Sequence, residues 1–401
     1  MWRTVKLGDV CSINNGGTPK SKVKEYWDGG VQWLTPKDMG KLTSRYVSVT
    51  ERQISQDGLG NSSAKLIPHG SVILSCRAPI GHVSINEVPM SFNQGCKGLV
   101  PSDEILVEYL YYFLVSSRKL LNDLGTGTTF KEISAKTLHQ VDVPLPPLAE
   151  QQRIVAKLDA AFAEIDRAVE HSKSALHRAD LLAAKIIESA MRSVENGQSV
   201  KIADVANMQS GFAFKSGDYS DDDTDIPLLR GDNIAPNYID LSSAKRLPAN
   251  LAADYSRFEL QTEDVILAMD RPYVSTGLRL AKINEVHTPC LLVQRVMRLR
   301  AEPKINSDFL HLAMETPRFL EHILGNQTGL GVPHISGKTI GSFEFEMPDL
   351  KEQERIVAVT NAAKKQVKKL RLSHEGRIDE LIELKSAILA QELQPAQDEA
   401  A

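Results

Sequence analysis

The chain repeats itself once, and this duplication restricts its possible folds more than any other feature. Val5-Lys6-Leu7-Gly8-Asp9-Val10 returns as Val200-Lys201-Ile202-Ala203-Asp204-Val205, and Gly16 with Lys20-Ser21 returns as Gly211 with Lys215-Ser216. Trp33-Leu34 ahead of Asp38-Met39 corresponds to Leu228-Leu229 ahead of Asn233-Ile234. Val72-Ile73-Leu74 and Ala78-Pro79 correspond to Val265-Ile266-Leu267 and Arg271-Pro272. Ile133-Ser134-Ala135-Lys136-Thr137 corresponds to Ile335-Ser336-Gly337-Lys338-Thr339. The clearest pair is Leu148-Ala149-Glu150-Gln151-Gln152-Arg153-Ile154-Val155-Ala156 against Leu350-Lys351-Glu352-Gln353-Glu354-Arg355-Ile356-Val357-Ala358. The matches keep their order while the offset drifts only from about 195 to about 202, so the chain is two copies of one unit.

Each copy has a globular part followed by a helical part. Residues 1–146 and 197–347 carry short β-branched runs broken by Gly, Pro, Asn and Asp, which read as strands of a mixed α/β (α+β) domain. Helical patches interrupt them at Leu106–Leu121 and Asp308–Leu324. Both globular parts stop at proline: Pro144, Pro146 and Pro147 in the first, Pro348 in the second. Proline suits the first turn of a helix and little else within it, so long helices are expected over 147–196 and 348–394, with a disordered tail at 395–401. Ile154, Leu158, Phe162, Ile165, Val169 and Leu176 keep helical spacing, and Leu182 and Ile186 continue the stripe after a slip. The second stripe runs Ile356, Val359, Ala363, Val367, Leu370, His374, Leu381, Leu384 and Ile388, with Gly376 as a weak point. A helix with one apolar seam needs a helical partner, and the repeat supplies one: two long antiparallel coiled-coil helices. His374 reads as a tolerated polar seam residue.

Two similar but unequal domains imply two recognition elements at a fixed separation with different half-sites. About 45 residues at roughly 1.5 Å each gives a ruler on the order of 65 Å. Composition restricts the function less. The net charge of −4 and pI near 6.2 argue mildly against a nucleic-acid binder. Lys20, Lys22 and Lys24 form a local basic cluster, while Asp221–Asp223 with Asp225 reads as a solvated loop. Cys11, Cys76, Cys96 and Cys290 stand too far apart for a metal motif and read as buried, reduced thiols. The opening residues carry no signal-peptide pattern, and the most apolar stretch, Ile105–Val115, is short and contains Glu108. A cytoplasmic protein is expected.

The segment Pro144-Leu145-Pro146-Pro147-Leu148-Ala149-Glu150-Gln151-Gln152-Arg153-Ile154 resembles the start of the central helix in type I restriction-modification specificity subunits. Pro348-Asp349-Leu350-Lys351-Glu352-Gln353-Glu354-Arg355-Ile356 resembles the second such helix. Trp2–Val10, Arg77-Ala78-Pro79-Ile80-Gly81 and the Gly-Thr-rich stretch before Ile133 are similar to that family's target-recognition domains. The second copy departs from it, with Asp270-Arg271-Pro272-Tyr273 where the first has Arg77-Ala78-Pro79-Ile80. The resemblance implies a subunit that reads an asymmetric, bipartite DNA target, one half per domain. It implies two modification (adenine methyltransferase) subunits and motor-nuclease restriction subunits as partners, which would use S-adenosylmethionine, ATP and Mg2+. This chain would hold no cofactor itself. Glu150, Gln151 and Arg153, with Glu352, Gln353 and Arg355, would face the partner subunits.

Base edges are read by Arg, Lys, Asn and Gln, while phosphates take Lys, Arg, Ser, Thr and backbone N–H groups. In the first domain the candidates are Asn15, Thr18, Lys20 and Lys22 in a Gly-rich loop, then Lys37, Arg77, Asn93 and Gln94, then Thr128, Thr129 and Lys131. In the second they are Lys215, Arg230, Asn233, Arg271, Gln327, Thr328 and His334. Arg295, Arg298 and Arg300 read as one solvated strand face. A catalytic reading fails for lack of a site: the chain has no Walker loop, no dinucleotide fingerprint and no Asn/Asp-Pro-Pro-aromatic tetrapeptide. The acidic residues after Pro348 are explained by a helix N-terminus. The competing reading is a non-DNA assembly scaffold, two interaction domains on a coiled-coil ruler.

Overall fold

The structure, a computed structural model, describes residues 2–127, 131–192, 197–326 and 333–394. It divides into two compact units, one of residues up to Ser172 with those from Gly376 onward, the other of Lys173–Glu375. The division cuts both long helices, Leu148–Arg192 and Leu350–Glu392. Each unit therefore holds one globular domain, the opening of the helix that leaves it and the closing part of the other helix. The anticipated helix end at 193–196 and the tail at 395–401 lie outside the described residues.

In the first unit a five-stranded sheet runs in the order Cys11–Asn15, Cys96–Pro101, Val72–Cys76, Ile80–Asn86, Tyr46–Val47. Val72, Leu74 and Leu99 share a core with Tyr109, Leu110 and Phe113 of the helix Val107–Ser116. A second sheet sets Trp27–Leu34 between Arg52–Ile54 and Ser91–Phe92. In the second unit the same plan recurs as a four-stranded sheet, Ala206–Ser210, Val296–Ala301, Val265–Ala268 and Leu280–Lys282. Its smaller sheet sets Ile226–Leu229 between Arg246–Leu247 and Leu291–Leu292. Registers match: Val72 lies opposite Leu99 as Val265 lies opposite Leu299, and Trp33 beside Ser91 as Leu228 beside Leu291.

Each domain is fastened at its base by its own ends. Arg3–Lys6 pairs antiparallel with Asp142–Leu145, and Gln198–Lys201 with Glu344–Met347. The second strand of each pair leads directly into the proline-bounded helix start. The repeated Gly16 and Gly211 also have a steric cause. A Cβ would lie 1.9 Å from the Asn93 carbonyl oxygen at the first and 2.1 Å from that of Val293 at the second.

The helical patches are each broken in two. Val107–Ser116 gives way to Arg118–Leu124, where the Ser116 hydroxyl bonds back to the Phe113 carbonyl at 2.8 Å. Ser307–Met314 gives way to Pro317–Leu324, since Pro317 has no N–H to continue a helix and Thr316 caps the new one.

The long helices pack antiparallel within each unit. In the first, Ile154, Leu158, Phe162 and Ile165 share the core with Leu389 and Leu393, and Lys157 meets Glu392 at 2.6 Å while Asp166 meets Lys385 at 2.7 Å. In the second, Asp180 pairs with Arg371. Truncating a seam residue such as Leu158 costs about 2–5 kcal/mol. The seam departs from the expected stripe. Leu182, Val359, Leu370 and Leu384 are about half exposed, whereas Ala179, Ile187 and Thr360 are buried. A straight helix of 3.6 residues per turn drifts against a 3.5-residue count, so the step from Ile356 goes to Thr360 and not Val359. The second helix continues through Gly376.

Candidate nucleic-acid interface

Within the first domain most of the candidates form one connected patch. Asn15 is exposed at the end of the strand Cys11–Asn15, and Thr18, Lys20 and Lys22 are exposed on the loop after it. Two tryptophans hold that loop: Trp33 Nε1 donates to the Gly17 carbonyl at 2.9 Å and Trp27 Nε1 to that of Lys20 at 3.3 Å. The Thr18 hydroxyl bonds Gln94. Gly95 lies close to Asn93, Pro36 and the Arg77 carbonyl, which draws Lys37 and Arg77 toward the same place. Arg77 pairs with Glu132 at 3.6 Å, next to the exposed Lys131. Lys20, Lys22 and Lys131 have no ion pair among the described residues. Thr128 and Thr129 lie outside them.

The second domain places a polar cleft at the equivalent strand ends, lined by Tyr219, Arg230, Asp232, Asp270, Arg271, Arg279, Gln294 and Arg295. Of the sequence candidates it unites Arg230 and Arg271, with His334 alongside through its 2.7 Å bond from Nδ1 to Asp270. Lys215 is exposed but not part of the cleft lining. Gln327 and Thr328 lie outside the described residues.

Backbone hydrogen bonds fix which positions correspond. Cys76 N donates to Gly95 O as Met269 N donates to Arg295 O, and Ile133 N to Cys76 O as Ile335 N to Met269 O. Gly95 therefore corresponds to Arg295, Arg77 to Asp270 and Glu132 to His334. Ala78 corresponds to Arg271, and both hold the left-handed backbone, φ 47° and 43°. The pair Arg77–Glu132 is thus replaced by Asp270 with His334 and Arg295, the carboxylate now standing at the position of Arg77.

Several expectations require correction. Gln151 and Gln353 do not face partner subunits, because both are fully buried. Gln151 accepts from Leu106 N at 2.8 Å and donates to the carbonyls of Glu104 and Pro146, each at 2.9 Å. Gln353 repeats this with Asn306 N at 2.8 Å and the carbonyls of Lys304 (3.3 Å) and Pro348 (2.8 Å). Each glutamine fastens its helix to its domain. Glu150–Arg153 and Glu352–Arg355 remain as surface pairs at 2.7 and 2.6 Å, with Arg153 and Arg355 exposed. Asn233 is buried and caps: its Oδ1 accepts from Arg230 N and its Nδ2 donates to Asp240 O, each at 3.0 Å. It repeats Asp38, whose carboxylate takes Thr35 N at 3.0 Å. Asn93 is half-buried, and its Oδ1 takes Gly95 N at 2.9 Å.

Nor do the three arginines form a solvated face. Arg298 is buried against Asn207, and Arg300 grips the buried Asp264 with two bonds of 2.7 and 2.8 Å. Only Arg295 opens to the cleft. Sequence reasoning missed it together with Gln294, although aligning Gln94-Gly95 with Gln294-Arg295 inside the repeat would have exposed both. The cysteines are buried, and desolvation pushes the thiols of Cys11, Cys76 and Cys290 up to about 12, which makes them poor nucleophiles and poor ligands. Among the described residues no helix is long and apolar enough to cross a membrane.

A doubled domain that presents polar loops beside strand ends, mounted on long paired helices, defines a recognition protein in class. Comparison with known proteins agrees. The model of the type I restriction modification DNA specificity domain matches residues 1–174 and again 195–372, so the chain belongs to that family. The MjaVIII specificity subunit of Methanocaldococcus jannaschii is 22% identical over 90% of this chain and 86% of its own length. The MjaIX specificity subunit of the same organism is 38% identical, over 39% of this chain and 37% of that protein. The EcoR124I/EcoR124II specificity subunit of Escherichia coli is 35% identical over 39% of this chain and 40% of its own length. Among solved structures, a chain from a study of complex assembly and conformational transition in the type I R-M system shares the fold with a TM-score of 0.78, at 18% identity, over 99% of this chain and 98% of that one. The HsdS subunit from Thermoanaerobacter tengcongensis gives 0.54 at 19% identity, over 99% and 97%. The family is one of DNA specificity, and the chain carries its domain twice.

Proposed function

We propose that each domain reads one half of a split, asymmetric DNA target and that the two halves differ. The observation that carries this is the same strand-end patch built twice with different side chains: Arg77, Ala78 and Gly95 in one copy, Asp270, Arg271 and Arg295 in the other. Asn15, Thr18, Lys20, Lys22, Lys37, Arg77, Gln94 and Lys131 serve the first half; Lys215, Arg230, Arg271, His334, Gln294 and Arg295 serve the second. The length of unread DNA between the halves follows the length of the two helices. The chain works in the cytoplasm and holds no cofactor. Two adenine-methylating subunits, using S-adenosylmethionine, dock beside Glu150–Arg153 and Glu352–Arg355, and restriction subunits using ATP and Mg2+ join them.

The test exchanges residues 1–146 for the equivalent domain of a relative and maps methylated adenines genome-wide. One half of the site should change while the other half stays. A change in both halves refutes the assignment of one half to each domain. Binding to the wild-type site should also fall steeply with salt, through counterion release; a protein-assembly scaffold shows no such binding.

A further inference from the structure

We infer that the second domain reads a guanine through Arg295, with Arg271 beside it, and that the first domain has no equivalent reader. The inference rests on the DNA reading above and gives it a base. At the positions of Arg295 and Arg271 the first domain carries Gly95 and Ala78. The arginines therefore belong to one half-site only.

Three observations favour a base edge over a phosphate. Arg295 Nη1 donates to Asp270 Oδ1 at 3.0 Å, while its side chain remains more than half exposed. A carboxylate that takes one N–H of a planar guanidinium fixes its plane and leaves the other donors in a fork, which matches the O6 and N7 acceptors of guanine. Second, Asp232 and Asp270 line the same cleft and pair with Arg230, Arg279 and Arg295, which lowers the positive charge those arginines would offer a phosphate and leaves their hydrogen-bond donors for an uncharged base edge. Third, Arg271 is exposed and makes no ion pair or side-chain hydrogen bond among the described residues. The backbone supports a functional reason for these side chains. Arg295 sits at φ 65°, in the left-handed region that Gly95 of the first copy does not adopt, and Arg271 sits at φ 43°, close to the 47° of Ala78.

The experiment selects bound duplexes from a randomised pool with the full chain and the subunits that purify with it, as wild type, R295G and R271A. R295G restores the residue of the first copy and relieves the backbone, so it does not act by unfolding the loop. The wild type should enrich a split site with a guanine at a fixed position of one half. Each variant should lose about tenfold of the preference at that position and leave the other half intact. Replacing that guanine by 7-deazaguanine, which lacks N7, should weaken the wild type by a similar factor and leave R295G unchanged. A half-site without guanine, or variants that weaken all sequences equally with a shallower salt dependence, overturns the inference. If the wild type enriches a split site that both variants preserve, this inference alone falls; if it enriches no sequence, the recognition reading falls with it.

Discussion

In the first unit the globular domain reaches for the helix. Arg45 grips Asp159 through both carboxylate oxygens, one at 2.9 Å, and Tyr112 bonds the same carboxylate. In the second unit the helix reaches for the domain. Lys364 extends to Glu315, which also takes Asn237 Nδ2 at 2.9 Å and faces His311 at 3.6 Å. The reading loops diverge likewise. Tryptophan N–H groups hold the first, whereas a cluster of Phe212, Phe214 and Tyr255 anchors the second. The Gln151 and Gln353 fasteners, by contrast, agree bond for bond. Backbone-to-side-chain bonds at the helix root are common property of the fold, because they satisfy main-chain groups that both copies must bury. Side-chain pairs farther out are free to be replaced.

The strongest way to break that comparison is to remove the shared fastener. Gln151→Ala leaves Leu106 N and two carbonyls without their partner, and Gln353→Ala does the same in the other unit. Each should cost about 2–4 kcal/mol, and the losses should be similar. Hydrogen exchange of the slowest amides in each unit reads them separately. A large loss in one unit with none in the other would show that the matching bonds do unequal work.

Mild acid sharpens the comparison with a smaller effect. Burial, the largest cause, depresses the pKa of His311; Lys364 and Lys282 add to this, while Glu315 and Asp308 oppose it. A histidine kept neutral by folding contributes stability that is complete above its ordinary value near 6.5 and is lost as pH falls below it. The equivalent residue in the first copy is Tyr111, which gains no proton in acid. Asp159 is also held low: burial raises its pKa, but the bonds from Arg45 and Tyr112 outweigh this, so its contribution is lost only below the ordinary carboxylate range. His82 and His287, each depressed chiefly by partial burial, fall one to each unit. From pH 7 to 5 the second unit should therefore lose more protection than the first, and H311Y should remove the excess. Equal losses in the wild type would remove His311 from the account.

Much of this was legible in the sequence. The duplication, the proline-bounded helices and the mixed domains follow from order, spacing and residue type, which survive without coordinates. The seam was less legible, since choosing between steps of three and four decides whether Val359 or Thr360 points inward. The glutamines could have been placed correctly: Gln151 lies three residues before Ile154 and seven before Leu158, on the seam side of the helix. Their resemblance to a surface motif obscured that spacing. Arg295 depends on a strand register, and Asn233 on a cap that resembles a reader until its bonds are traced.

The smallest expected effect lies on the seam itself. Leu158 and Thr360 occupy the same place in the two copies, and both are fully buried. The threonine hydroxyl has no hydrogen-bond partner among the described residues. Replacing a buried, unbonded hydroxyl by a methyl group of similar size removes a desolvation cost and adds apolar contact. Thr360→Val should therefore stabilise the second unit by about 1 kcal/mol and leave the first unchanged, as exchange protection would show. The outcome bears on the comparison directly. A gain shows that the second copy carries a seam defect that the first repaired with leucine; a loss shows that the hydroxyl is satisfied in solution and that the two seams are equally complete.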